Sequence, residues 1–414
     1  MIELPVSKSI GARYMVATYF AGTLPADPFF EDNDDLMVLQ EALLEVYSDE
    51  EPIDYGDSPI DVGASGTALR FVTAVCASSK GADYVIGGTP RLMERPMLPL
   101  IELLRKAGAD IQALGENNTG PYRVKGNKLE GGDFEIRGDI SSQFISALML
   151  VAPTWENGLN LKFSTPTVSK PYLKMTQQLM EKFGITVELD NETVKVPHAP
   201  YIQPQNFTVE ADWSSASFFY EACAISGQPI EIANLAEPSD SLQGDAVCAS
   251  LFELLGVYSS FNSKSASISR KEETGKSITL DFKDSPDLLL PFAVASLCRG
   301  CHFRFNGVAH LRLKESDRLK SLYEEALKLG WKVTIEEDSI FWEGETVDKV
   351  TDPVIDPHDD HRVAMAFAMI AFKTGEIRIA NPRVVEKSFI NFWNQIEQIG
   401  LSCSETDNIM IVRK

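Results

Sequence analysis

No stretch of the 414-residue chain comes near the ~20 uninterrupted apolar residues that a helix needs to cross a bilayer. The opening MIELPVSKSI has no basic region leading into a long apolar run, so no secretory leader is expected and the protein is placed in the cytoplasm. Cysteine is scarce and badly spaced for a metal. Of the six, at 76, 223, 248, 298, 301 and 403, only Cys298 and Cys301 stand close, as CRGC, with no second pair to complete a zinc site. Most lie in apolar runs such as FVTAVCA and VASLCRG, where buried free thiols are expected. Positive charge is the other shortage. Lysine and arginine number 38 against 60 aspartates and glutamates, a formal net charge of −22. A field of that sign repels nucleic acid and anionic membranes, which argues against both as partners. Such a protein can hold an anion only by gathering its few cations at one place.

What the chain does have is repetition. A small polar residue followed by an apolar, alanine-rich run occurs six times: SKSIGARYMVATYFAG from Ser7, SGTALRFVTAVCAS from Ser65, SSQFISALMLVAP from Ser141, SSASFFYEACAIS from Ser214, SPDLLLPFAVASLCRG from Ser285 and DDHRVAMAFAMIAFKTG from Asp359. Each opens on Ser or Asp where a helix N-cap belongs and is apolar nearly all round, the mark of a buried helix. A second, amphipathic helix is expected after each, as in DDLMVLQEALLEVY, SKPYLKMTQQLMEKFG and ESDRLKSLYEEALKLG. Five of these second helices close on glycine, at 108, 184, 256, 330 and 400, and short alternating runs that suit strands follow. The length suits two domains, so the six units divide three and three, with the boundary set near residue 230 by loop composition.

Cations stand where helices disfavour them. A helix N-terminus carries partial positive charge, so Lys or Arg in the first turn is unfavourable. Yet Lys8 and Arg13 start the first buried helix, and Arg95, Lys170, Lys314 with Arg318, and Lys387 lie at or near starts of amphipathic helices. Arg362 opens the last buried helix. An anionic ligand supplies a common cause, because helix N-termini, Lys and Arg all bind phosphate or carboxylate. Ser141, Ser142 and Ser169 could donate to the same oxygens, although plain capping accounts for any one of them.

Taken in order, LPVSKSIGAR, SGTALR, PRLMERP, GDISSQF, VSKPY, EADWSSAS, SPD, LKESDRL, DDHR and VEKSF resemble the 5-enolpyruvylshikimate-3-phosphate synthase family over nearly the whole chain. The resemblance implies an α/β fold of two lobes, the inside-out α/β barrel of the enolpyruvyl transferases, with three βαβαββ units and buried helices in each lobe. The lobes are expected at 8–230 and 231–414, with 1–7 joining the second. It implies a cytoplasmic, monomeric transferase of the shikimate pathway to chorismate and aromatic amino acids, the target of glyphosate, with small-molecule substrates and no cofactor or metal. Phosphoenolpyruvate would give its enolpyruvyl group to the 5-hydroxyl of shikimate 3-phosphate through a tetrahedral ketal that expels phosphate. Carried over by position, Ser9, Arg13, Ser141, Ser142, Ser169, Tyr172, Asp287, His310 and Lys314 would contact shikimate 3-phosphate. Lys8, Gly66, Thr67, Arg95, Gln143, Arg318, Arg362 and Lys387 would contact phosphoenolpyruvate, and Asp287, Glu315 and Lys8 would carry acid–base catalysis.

Several positions depart from the family pattern. Ala64 stands where many members have asparagine, Phe71 where proline is common, and His310 where a substrate-binding asparagine often lies. Lys8 is nearly terminal, so part of one lobe's sheet is expected to be missing or rebuilt. Two rival readings are a UDP-N-acetylglucosamine enolpyruvyl transferase, which needs a reactive loop cysteine for which only Cys403 has suitable flanks, and a non-catalytic ligand-binding homologue. The run DPHDDH (356–361) also permits a metal on spacing, against the simpler account of capping by Asp359 or Asp360.

Overall fold

Helices that are apolar on every side are stable only where other elements cover them. The computed structural model describes residues 1–25, 30–47, 59–271 and 277–414, and it groups them into two compact units, 8–209 and 1–7 with 210–414. In the first unit, the helices Lys8–Phe20, Gly66–Ser78 and Ser142–Val151 pack on one another. In the second, Trp213–Ser226, Leu289–Arg299 and His361–Ala368 do the same. Aromatic edges lock that second core, with Phe292 against Phe252 at 5.2 Å and Phe305 against Phe282 at 4.9 Å between ring centroids.

The caps are more selective than the Ser/Asp pattern suggested. Ser65 and Ser141 do accept from the backbone N–H of Ala68 and Gln143. However, Asp212 caps the helix assigned to Ser214, and Asp360 rather than Asp359 caps the last one. Ser169 precedes its helix in a left-handed conformation without a side-chain cap bond, and Ser285 makes none either. The closing glycines at 108, 184, 256, 330 and 400 all have positive φ, where a side chain would be strained.

Strands follow from period-two alternation. In Leu159–Phe163, Leu159, Leu161 and Phe163 turn inward while Asn160 and Lys162 face solvent. Four sheets share one order, a parallel pair followed by two antiparallel neighbours: Ile60–Asp61, Asp83–Gly87, Tyr122–Lys125 and Asp110–Ala113 is the first example. The fifth sheet, of Ile230–Ala233, Ser265–Arg270 and Val257–Phe261, lacks its parallel partner in local sequence. Ile2 supplies it, bridging Ile232 in parallel through Ile2 N–H to Glu231 O and Ala233 N–H to Ile2 O, both 2.8 Å.

Two expectations are corrected here. The boundary falls at 209/210 rather than 230/231, because Trp213–Ser226 is the central buried helix of the second unit and not the last helix of the first. The count of three βαβαββ units holds in the second unit once Ile2 is included. In the first unit, among the described residues, the repeat opening at Lys8 contributes the helices Lys8–Phe20 and Asp34–Tyr47 and no sheet of its own. Membrane crossing finds no support, since no helix among the described residues is long and apolar enough.

Ile2 is 1% exposed, so its side chain as well as its backbone completes the fifth sheet. Ile2→Ala is expected to destabilise the second unit by about 2 to 3 kcal/mol. Urea unfolding followed by tryptophan fluorescence measures this, and an unchanged midpoint contradicts it.

Candidate active site

The charge-rich run LRLKESDRLK becomes a tight turn, Ala309–Leu313, then an extended link, then the helix Arg318–Lys328. Asp317 caps that helix through the N–H of Lys320 at 3.1 Å, which leaves Arg318 as its first residue, pointing inward and 1% exposed. Each of its guanidinium nitrogens meets a different carboxylate. Nη1 donates to Asp287 at 2.7 Å, Nη2 to Glu315 at 3.0 Å and Nε to Asp360 at 2.8 Å. The other oxygen of Asp287 accepts from Arg362 Nη2 at 2.8 Å. Asp360 also accepts from Ser316 Oγ at 3.2 Å and caps the last buried helix through the N–H of Arg362 at 3.0 Å.

Two guanidinium groups (Arg318, Arg362) thus share one cluster with three carboxylates (Asp287, Glu315, Asp360) in the second unit, and Lys314 lies within electrostatic reach of it. Burial alone would raise the Asp287 carboxyl, but Arg362, Lys314 and Arg318 outweigh it and hold that group well below the usual carboxylate range. Burial likewise lowers Arg318, and Asp360, Glu315 and Asp287 more than reverse the effect. The Lys314 ammonium is pulled down by burial, with Asp287 opposing. His310 is lowered to about 4 by burial and by Lys314, so it is neutral, and its buried Nε2 has no hydrogen-bond partner. Beside them, Asp245 accepts a short hydrogen bond from Ser214 Oγ. Burial and then the Asp287 charge raise Asp245 to about 7.

The first unit treats its cations differently. Lys8 pairs with Asp35 at 3.0 Å. Arg13 is 2% exposed and lies among neutral partners: Nε donates to Thr176 Oγ1 at 2.7 Å, Nη1 to Ser9 O at 2.7 Å, and Nη2 to Ser146 Oγ at 3.0 Å and Tyr172 O at 3.4 Å. Burial pushes its pKa down to about 10. Gln143 Nε2 donates to Thr67 Oγ1 at 2.9 Å, which joins the SSQ and SGT motifs. At Gly66 a Cβ would stand 2.6 Å from Nη1 of both Arg70 and Arg95, so only glycine lets those two guanidinium groups approach. The Nε of Arg95 is buried without a partner.

Besides the cluster of the second unit, the structure brings predicted residues of the first unit together in two sets. Ser9, Arg13 and Tyr172 form one contact group with Ser146 and Thr176, and Gly66, Thr67, Arg95 and Gln143 form another. Ser141 and Ser142 open the helix that carries Gln143, and Ser169 and Lys170 open the one that carries Tyr172. Lys387 differs from expectation. It ends the short 3-10 turn Pro382–Lys387, and the helix after it begins only at Phe392. Arg312 pairs with Asp317 at 3.5 Å and Lys320 with Glu324 at 3.7 Å. Sequence reasoning missed Asp245, and it read Asp360 only as a cap. Ser146 and Thr176 were missed as well, although they sit four residues after Ser142 and Tyr172, on the same helical faces.

Comparison with known proteins bears on the family and the fold. The family model described as EPSP synthase (3-phosphoshikimate 1-carboxyvinyltransferase) matches residues 31–396. A 3-phosphoshikimate 1-carboxyvinyltransferase of Bacteroides fragilis is 37% identical over 402 residues, covering 96% of this chain and 95% of the relative. The chain belongs to the EPSP synthase family. A relative of the same name from Marinomonas sp. is 33% identical over 422 residues, covering 96% of each chain. The fold matches an EPSP synthase structure from Acinetobacter baumannii with a TM-score of 0.70 at 24% identity, covering 99% of this chain and 97% of the other.

One departure from the EPSP synthase pattern, Phe71, and the cysteine of the rival reading, Cys403, now have a physical account. Phe71 is buried, with the Arg13 guanidinium 5.8 Å from its ring centroid, so it floors that cation. Cys403, the one cysteine with loop-like flanks, lies in the strand Ser402–Thr406, and burial and the Glu397 charge raise its thiol to about 12. Such a thiol is not a poised nucleophile. Among the described residues, no group of three or more His, Cys, Asp or Glu could hold a metal ion.

Asp245 yields a pH prediction. An unfolded aspartate titrates near ~3.9, whereas this one does so at about 7, so the folded state holds an extra proton between those values. Stability from this group is fully present below pH ~4 and is lost as pH rises to about 7. His310 acts oppositely, adding stability as pH rises from about 4 to its ordinary value, in wild type and variant alike. Asp245→Asn is expected to remove a downward slope of at most about 1.4 kcal/mol per pH unit. Urea midpoints at pH 4.5 and 7.5 read the difference, and parallel curves for the two proteins contradict it.

Proposed function

We infer that the protein is a 3-phosphoshikimate 1-carboxyvinyltransferase, which transfers the enolpyruvyl group of phosphoenolpyruvate to the 5-hydroxyl of shikimate 3-phosphate and releases phosphate. The observation that carries the reading is Arg13, a buried guanidinium among two hydroxyls and two carbonyls. A buried cation with only neutral partners is costly unless an anion joins it. Arg95 is half-buried, its Nη1 lies against Gly66 and its buried Nε has no partner, so it can also take an anion. Both substrates are phosphorylated carboxylates and supply one.

In this reading, Ser9, Arg13, Ser141, Ser142, Ser169, Tyr172, His310 and Lys314 hold shikimate 3-phosphate. Lys8, Gly66, Thr67, Arg95, Gln143, Arg318, Arg362 and Lys387 hold phosphoenolpyruvate. His310 supports its own place in the first group, because a neutral imidazole with an unpartnered Nε2 can bond a hydroxyl as the family's asparagine would. The hydroxyl oxygen attacks the vinyl carbon while its methylene gains a proton. The ketal then loses a methyl proton and its carbon–oxygen bond to phosphate. Asp287 orients the hydroxyl and accepts its proton, and Glu315 serves the methylene. Asp287 is a weak base while two guanidinium groups hold it. Anionic substrates that engage Arg318 and Arg362 relieve that hold and restore its basicity.

Glu315→Gln is expected to lower kcat by at least about a hundredfold while both substrates bind within threefold of wild type. A near-normal rate removes Glu315 from the mechanism. Phosphate release is expected only with both substrates present. Release from phosphoenolpyruvate with UDP-N-acetylglucosamine as acceptor, or with no acceptor, defeats the assignment.

A further inference from the structure

Asp360 sits in the run DPHDDH and Arg362 directly follows it, and the run's backbone is strained. His358 and Asp359, neither of them glycine, have φ of 51° and 56°. Consecutive left-handed residues are unfavourable for L side chains and persist only where their surroundings dictate them. The dictating contacts come from the far end of the helix Arg318–Lys328. Glu325, 1% exposed, accepts from the His358 ring Nε2–H at 2.9 Å through one oxygen, and from the Asp356 N–H at 3.1 Å and Lys328 Nζ at 2.6 Å through the other. Lys328 Nζ also donates to Val354 O at 3.1 Å. The His358 N–H donates to Asp356 Oδ1 at 2.8 Å, and the Asp360 N–H to Pro357 O at 2.9 Å, which closes the loop.

One helix thus grips the loop twice. Its first residue, Arg318, holds Asp360, and two turns later, ~10 Å along the axis, Glu325 holds His358 and Asp356. We propose that Glu325 and His358 form a positioning clamp that fixes the 356–361 loop and so sets Arg318 and Arg362 at the angle the anionic substrate requires, although neither clamp residue touches substrate. The proposal rests on the assignment of Arg318 and Arg362 to phosphoenolpyruvate. It gives DPHDDH a role that is neither metal binding nor capping alone.

His358→Ala tests it, since that side chain is 27% exposed and its loss leaves the core filled. Hydrogen exchange of the unliganded protein is expected to accelerate in 356–362, with Tm within about 2 °C of wild type. KM for phosphoenolpyruvate is expected to rise about tenfold or more, with KM for shikimate 3-phosphate within twofold. His358→Gln, which keeps a donor at similar reach, is expected to restore both readouts. Unchanged exchange in the loop overturns the clamp. So do KM values for the two substrates that rise together with a falling Tm, or a His358→Gln protein that behaves like His358→Ala. If the wild-type protein does not use phosphoenolpyruvate, the functional assignment fails, and the exchange measurement still decides the clamp.

Discussion

Arg318 buried among three carboxylates is the constraint on which the second unit's chemistry depends. Removing one partner from a buried charge pair typically costs about 3 to 5 kcal/mol, so the helix Arg318–Lys328, the loop before Leu289–Arg299 and the start of His361–Ala368 are tied to one another through a single side chain. That tie fixes Asp287 and Arg362 in turn, because Asp287 bridges the two guanidinium groups. The cluster is balanced in charge. It is therefore a rigid support for an anion and not, by itself, a strong attractor of one.

The first unit shows the complementary arrangement. Among the described residues no carboxylate pairs with Arg13 or Arg95, and the missing Cβ of Gly66 leaves room for the Arg95 and Arg70 guanidinium groups at the start of a helix whose N–H groups carry positive potential. In a chain of net charge −22, these are costly concentrations of like charge. In the proposed reading, an anionic substrate offsets the cost of burying Arg13 without a carboxylate partner.

Much of this was legible in the sequence because the signals are local. All-round apolar runs marked the buried helices, and cations at or near helix starts marked Arg13, Arg318 and Arg362, which the structure buries, since each pattern departs from a preference that acts over one turn. What was not legible depends on distant pairing. Ile2 completes a sheet with residues 230–233, and nothing near either segment announces it. The boundary at 209/210 likewise depends on distant packing, of Trp213–Ser226 against Leu289–Arg299. Asp360 looked like a cap and is one, yet its second oxygen anchors Arg318, from 42 residues earlier. Asp245 has no motif-level sign at all. Its raised pKa arises from burial and from Asp287 in the folded chain. Cys403 was misread because its polar neighbours belong to an edge strand, SCSET, and not to a loop.

The most direct test is a crystal structure with shikimate 3-phosphate and inorganic phosphate bound. The account predicts one anion oxygen within hydrogen-bond distance of Arg13 and another within hydrogen-bond distance of Arg362, with Arg318 still bonded to Asp360. A structure in which Arg318 leaves Asp360, or in which no anion reaches Arg13, contradicts it.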